Sequence, residues 1–162
     1  MVKLCVFDLD GTLVNTLHDL TNSLNYALEA CGFPALSESR VAAIVGHSVN
    51  YMCEHAVPPE SKDQAEKVLA IYREHYKEHS LDRSHPYDGM IEAVEAIKAA
   101  GVTVAIASNK PHADTVKVIE TLYPKDLFSM VLGRMDKFAI KPAPDVLRFI
   151  MDFFGVTPEE SV

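Results

Sequence analysis

A doubly wound α/β fold, Rossmann-like in its parallel sheet and interrupted by a helical insert, is what this 162-residue sequence predicts. Three observations lead there. The chain opens on a short apolar run, Leu4-Cys5-Val6-Phe7, of the kind that forms a strand buried on both faces of a parallel sheet. The next comparable run, Val102 to Ala107, comes only after a long stretch with purely helical patterning. From there to the end, helices and short strands alternate, the sign of βαβ units.

The individual elements follow in order. After Phe7 comes Asp8-Leu9-Asp10-Gly11-Thr12, acidic and turn-rich. Leu17, Leu20, Leu24, Ala27, Leu28 and Cys31 then recur at helical spacing until Gly32 and Pro34 stop the pattern. Residues 35–60 read as short helices broken at Gly46 and at Pro58-Pro59. Ser61 with Gln64 suggests a capping box for the helix that carries Ala65, Val68, Leu69, Tyr72 and Tyr76. Beyond residues 80–88, Met90, Val94 and Ile97 mark a helix ended by Gly101. The run Val102 to Ala107 is a strand, Ser108-Asn109-Lys110-Pro111 a loop, and Val116 and Ile119 lie on the next helix. Met130 to Leu132 is a further short strand, and Pro144 suits the first turn of a helix with Val146, Phe149, Ile150 and Phe153. The expected division is a core of residues 1–14 and 86–162, with a helical cap of residues 15–85 inserted after the first strand.

Composition narrows the classes of partner. Apolar residues make up 48% and charged residues 23%, ordinary values for a globular chain. The net charge of −8 disfavours nucleic acid and anionic membrane surfaces, which need basic patches. No apolar stretch reaches the roughly 18 residues of a membrane span. Three cysteines, Cys5, Cys31 and Cys53, without a C-x-x-C pair, fit reduced thiols in a cytoplasmic protein.

The chemistry concentrates at Asp8 and Asp10. Both follow a buried strand, where open α/β sheets place their ligands, and alternation sets them on one side with Leu9 opposite. Two close carboxylates repel unless a cation compensates, and Mg²⁺ takes one or two carboxylates together with a substrate phosphate. One carboxylate can attack phosphorus, and the other can serve as general acid and then base. Gly11 and Thr12 are expected to turn the chain so that backbone N–H groups face phosphoryl oxygens. Ser108, after the second strand, can hydrogen-bond a phosphate oxygen. Lys141, before Pro142 and Pro144, can neutralise the nucleophile and the phosphoryl group.

The string Val6-Phe7-Asp8-Leu9-Asp10-Gly11-Thr12-Leu13-Val14 resembles the first motif of haloacid dehalogenase-type phosphatases. Ser108-Asn109-Lys110 is similar to the second motif in its phosphoglycolate phosphatase-like form, and Lys141-Pro142-Ala143-Pro144 to the third. The resemblance implies that Asp8 is the nucleophile and Asp10 the general acid and base, that Ser108 and Lys141 complete the catalytic set, and that Gly11, Thr12 and Asn109 contact phosphate. It implies Mg²⁺ on Asp8 and Asp10, a small phosphorylated metabolite resembling 2-phosphoglycolate as substrate, and a cap that excludes bulk water. Pro86-Tyr87-Asp88-Gly89-Met90 resembles the return from cap to core, and Arg40, Gly46 and His47 lie where similar proteins have cap segments facing the site.

The family's fourth motif, G-D-x-x-x-D after a further strand, is not met before Val162, and Glu159 and Glu160 precede that strand rather than replace its acids. A shortened phosphatase is therefore expected, with an unfinished sheet edge available for self-association. Rival readings are a phosphosugar mutase of the same family, a signalling receiver domain, and a non-catalytic phosphate-binding remnant. D-G-T rather than D-G-V leans toward hydrolysis, and the helical insert after the first strand disfavours a receiver. His75 and His79, four apart on a helix, could share a metal, but Glu74, Lys77 and Glu78 make a solvated face the expected reading.

Overall fold

The computed structural model describes residues 1–162. In chain order the elements are β1 (Leu4–Phe7), β2 (Val14–Asn15), α1 (Leu17–Ala30), α2 (Glu38–Ala42), α3 (Val49–Ala56), α4 (Ala65–His79), β3 (His85–Pro86), α5 (Met90–Ala99), β4 (Thr103–Pro111), α6 (His112–Leu122), β5 (Met130–Arg134) and α7 (Asp145–Phe154). Short 3₁₀ segments cover Pro59–Gln64, kinked at Ser61, and Pro158–Glu160. The chain divides into two units, Met1–Val14 with Pro86–Val162, and Asn15–His85.

The first unit is built on a parallel sheet in the order β1-β4-β5. Alternation along β4 explains its two-sided packing. Ala105 and Ala107 point to one face and share a core with Leu4, Leu132, Val146 and Ile150, so α7 covers that side. Val104 and Ile106 point the other way and are fully buried, and α5 and α6 also pack against β4. Helices therefore lie on both faces, as the doubly wound reading requires. Each fully buried aliphatic side chain of this kind stabilises by about 1.5–3 kcal/mol.

The strand at the centre runs further than the sequence suggests. The expected loop at Ser108 to Pro111 instead belongs to β4, with a register irregularity between Ala107 and Pro111 before Pro111 pairs with Arg134. A bulge keeps the strand in the sheet while re-aiming its side chains, and it falls where polar residues replace apolar ones. At the other edge Val6 N–H donates to Val162 C=O and Val162 N–H to Leu4 C=O. The final residues thus run parallel to β1 and pair with part of the edge that the sequence reading left open.

The second unit is helical. Leu20, Leu24, Ala27 and Leu28 of α1 pack with Val68, Leu69, Tyr72 and Tyr76 of α4 around Val41, Met52 and Cys53. The stripes read from the sequence are the buried faces. Helix α1 ends in a Schellman motif, with Phe33 N–H on Leu28 C=O and Gly32 N–H on Glu29 C=O. The capping box expected at Ser61 and Gln64 does not form. Ser61 lies inside the 3₁₀ turn, which runs straight into α4, and Ala65 N–H donates to Lys62 C=O. Carbonyls of the preceding turn take the donors that a side-chain cap would have served.

Candidate active site

Strand β1 stops at Phe7, which makes Asp8 the first residue beyond its carboxyl end. The turn that follows closes on one carbonyl. Leu9 C=O accepts from the N–H groups of Thr12, Leu13 and Val14 at 3.0–3.2 Å, and Gly11 N–H donates to Val14 C=O at 2.9 Å. Gly11 has φ of +78°, a left-handed conformation that glycine adopts without a Cβ penalty. The N–H groups of Gly11 and Thr12 are thus spent inside the turn. They shape the loop, because the chain must return at once into β2. Tyr123 braces the same turn: its hydroxyl donates to Leu13 C=O at 2.8 Å, and burial pushes the phenol up to about 12, so it keeps the proton it donates.

Asp8 is held on one oxygen. Its Oδ1 accepts from Leu9 N–H at 2.8 Å and from Lys141 Nζ at 2.9 Å, while Oδ2 has no partner in the protein. Lys141 Nζ also donates to Ala107 C=O at 2.6 Å, so it links the carboxyl ends of β1 and β4. Its stretch of chain is fixed by Asn109, whose Oδ1 accepts from Lys141 N–H at 2.9 Å and whose Nδ2 donates to Lys141 C=O at 3.1 Å. Both ends of that amide are engaged, and the residue is only 8% exposed. Asn109 therefore positions Lys141.

Asp10 has its own cation. Lys110 Nζ sits 3.1 and 3.3 Å from the two Asp10 oxygens, and the Lys110 side chain is only 3% exposed. Charge-assisted contacts in so dry a setting are strong when both partners are present. Ser108 is buried, and its Oγ accepts from Lys110 N–H at 3.2 Å, leaving the hydroxyl hydrogen to donate elsewhere. The carboxyl ends of β1 and β4 thus gather Asp8, Asp10, Ser108, Lys110 and Lys141 in two acid–lysine pairs.

Two residues escaped the sequence reading. Lys110 had a detectable signal: once β4 continues through the bulge, a lysine two positions beyond Ser108 points to the same side. Asp19 had none beyond an acid in the first turn of α1. It is buried in the second unit and accepts from the N–H groups of Arg83 and Ser84 and from the Ser84 hydroxyl at 2.7–3.1 Å. Arg40 and His47 have their contacts within that unit too, Arg40 on His55 C=O and the His47 ring against Tyr51.

No three His, Cys, Asp or Glu side chains converge as a metal cage. The donors at the strand ends are Asp8, with a free Oδ2, and Asp10. Mg²⁺ typically takes one or two carboxylates and completes its shell with water and phosphate, so this donor set fits it.

A parallel sheet with acids at the carboxyl end of its first strand and a lysine ahead of its last helix defines a hydrolase of the haloacid dehalogenase type. Residues 5–162 match the haloacid dehalogenase-like hydrolase family, and the chain belongs to it. It is 40% identical over 144 residues to a phosphoglycolate phosphatase of Mesorhizobium japonicum, matching 86% of this chain and 63% of that protein. It is 31% identical over 164 residues to the phosphoglycolate phosphatase of Thiobacillus denitrificans, matching 98% and 72%. A crystal structure of a predicted phosphoglycolate phosphatase from Haemophilus somnus superposes with a TM-score of 0.92 at 31% identity, covering 99% of this chain and 75% of that one. The chain thus spans somewhat less than two thirds of the Mesorhizobium relative's length. No helix is long and apolar enough to cross a membrane.

Proposed function

We propose that the protein hydrolyses a small phosphate monoester, of the 2-phosphoglycolate class, through an aspartyl-phosphate on Asp8. The observation that carries this reading is the half-engaged Asp8 carboxylate, anchored at Oδ1 by Lys141 and open at Oδ2. An Asp8 oxygen attacks phosphorus, the bond from phosphorus to the ester oxygen breaks, and protonated Asp10 gives its proton to the leaving alkoxide. Lys110 then neutralises the Asp10 carboxylate. In the second step Asp10 takes a proton from water as that water attacks phosphorus. The bond from phosphorus to Asp8 breaks, releasing inorganic phosphate, restoring the Asp8 carboxylate and leaving Asp10 protonated for the next turnover.

Ser108 donates its free hydroxyl hydrogen to a phosphoryl oxygen, and Lys141 offsets charge on the nucleophile and the transferring group. The protein's part is mainly positioning and electrostatics, as in other phosphoryl transfers. Asp8 and Asp10 would hold Mg²⁺, which when bound neutralises phosphoryl charge. The names of the relatives support the substrate class. The test is release of inorganic phosphate from 2-phosphoglycolate by the purified protein, with and without Mg²⁺, beside Asp8→Asn. Magnesium-dependent release that the variant lacks is the expected result; equal release by both proteins would overturn the assignment.

A further inference from the structure

The second unit carries an open cavity of about 330 Å³, lined by the first residues of α1 and α2 and by the chain at the start of β3. Sites for small molecules begin at about this size. Arg83 and Glu38 both line the cavity, yet no ion pair joins them. Glu38 pairs instead with His18, whose Nδ1 lies 3.0 Å from Glu38 Oε1. Arg83 makes its contacts through the main chain, and its guanidinium has no partner in the protein. A positive and a negative charge thus share one space without closing on each other.

The walls are held from behind. Asp19, buried in the first turn of α1 next to His18, accepts from the N–H groups of Arg83 and Ser84 and so fixes the segment that bears Arg83. His85 Nδ1 lies 2.8 Å from Arg83 C=O, so that nitrogen carries the proton and Nε2 of the neutral ring is left as an acceptor. With both imidazoles neutral, the charges of Arg83 and Glu38 sum to zero. A bare anion in the cavity meets Glu38 and a bare cation meets Arg83, so one wall opposes each of them. A molecule that carries both charges is opposed by neither.

We propose that this cavity binds a small polar α-amino acid in its zwitterionic form. The ligand's carboxylate pairs with the Arg83 guanidinium, whose fork matches two carboxylate oxygens. Its ammonium pairs with Glu38 Oε2, the oxygen that His18 leaves open. Asn15 and His85 Nε2 supply hydrogen-bonding groups for a short polar side chain, and Leu17 supplies the apolar wall. The site uses none of Asp8, Asp10, Ser108, Lys110 and Lys141, so its occupancy is read without turnover. The ionic contacts lie at the surface and are screened by water, so Kd falls on the order of 1 mM.

The test is a proton–nitrogen NMR titration of the isotope-labelled whole chain with L-serine, near neutral pH and at low salt. Two analogues run beside it: 3-hydroxypropanoate, which lacks the ammonium, and ethanolamine, which lacks the carboxylate. L-serine should give saturable shifts at the amides of His18, Arg83 and His85, and each analogue should bind at least about tenfold more weakly. Arg83→Gln and Glu38→Gln should each weaken L-serine by a similar factor, with the spectrum elsewhere unchanged. Absence of saturable shifts with L-serine overturns the proposal. So does equal binding of 3-hydroxypropanoate, which would make the cavity an anion site, or L-serine binding unaffected by Glu38→Gln.

Discussion

Asn109 grips Lys141 by its main chain, accepting from its N–H at 2.9 Å and donating to its C=O at 3.1 Å. The two residues are far apart in sequence, and this clamp sets where the Lys141 ammonium meets Asp8. Asn109→Leu keeps the volume and removes both bonds. We expect kcat to fall by about 10–100-fold, since misplacing a group by an ångström can cost that much. The check is steady-state kinetics beside Asn109→Asp, which keeps the acceptor for Lys141 N–H but loses the donor for its C=O and should retain more activity than Leu.

Lys110 is a stability residue as well as a site residue. Its ammonium and the Asp10 carboxylate are both largely buried, and removing one partner strands the other. Breaking such a pair typically costs about 3–5 kcal/mol. Lys110→Met should therefore lower the melting temperature markedly, and Lys110→Met/Asp10→Leu should recover much of that loss. Thermal unfolding of the three proteins measures it, and an additive double variant would refute the coupling.

Gly133 is a packing constraint behind the same lysine. A Cβ there would lie 2.5 Å from Thr115 Oγ1, 2.6 Å from His112 Cα and 2.7 Å from the Lys110 carbonyl oxygen. Two of the three are backbone atoms and cannot rotate aside. Gly133→Ala should destabilise by about 1–3 kcal/mol, the usual cost of overpacking, and should lower activity by pushing on Lys110. Denaturant melts paired with kinetics test both halves.

Much of this was legible in the sequence, and the failures have physical causes. The run Leu4 to Phe7 and the stripe from Leu17 to Cys31 announced themselves because burial dictates residue type at fixed periods. The gathering of Asp8, Asp10, Ser108 and Lys141 at the strand ends was legible because their motifs adjoin the ends of β1 and β4 and the start of α7. Motif membership did not reveal where the hydrogen bonds of Gly11, Thr12 and Asn109 are spent. The turn at Leu9 consumed two N–H groups, and Lys141 consumed an amide. Asp19 was hidden because its partners are main-chain N–H groups at Arg83 and Ser84, and no side-chain pattern records those.

Asp19 should matter for that reason. Its carboxylate serves two N–H groups and a hydroxyl from a position only 1% exposed. In Asp19→Ala those donors would be stranded at about 1–3 kcal/mol for each left unsatisfied. Hydrogen exchange should show lost protection at Arg83 and Ser84, with the amides of α4's central turns unaffected.

Cys53 offers a test of the second unit's core. It is 1% exposed, and burial, the largest cause, pushes its thiol up to about 12, with Glu54 adding to the rise and Arg73 opposing it. The thiolate is the reactive form, so near pH 8 Cys53 has almost none. Iodoacetamide should label the partly exposed Cys31 in the native protein and spare Cys53 until denaturant is added. Mass spectrometry of the labelled peptides reads the difference. Raising the pH toward 10 should not expose Cys53 to the reagent, because the folded-state thiol titrates higher still. Labelling of Cys53 at the Cys31 rate would mean that the packing of α1, α3 and α4 around it opens readily.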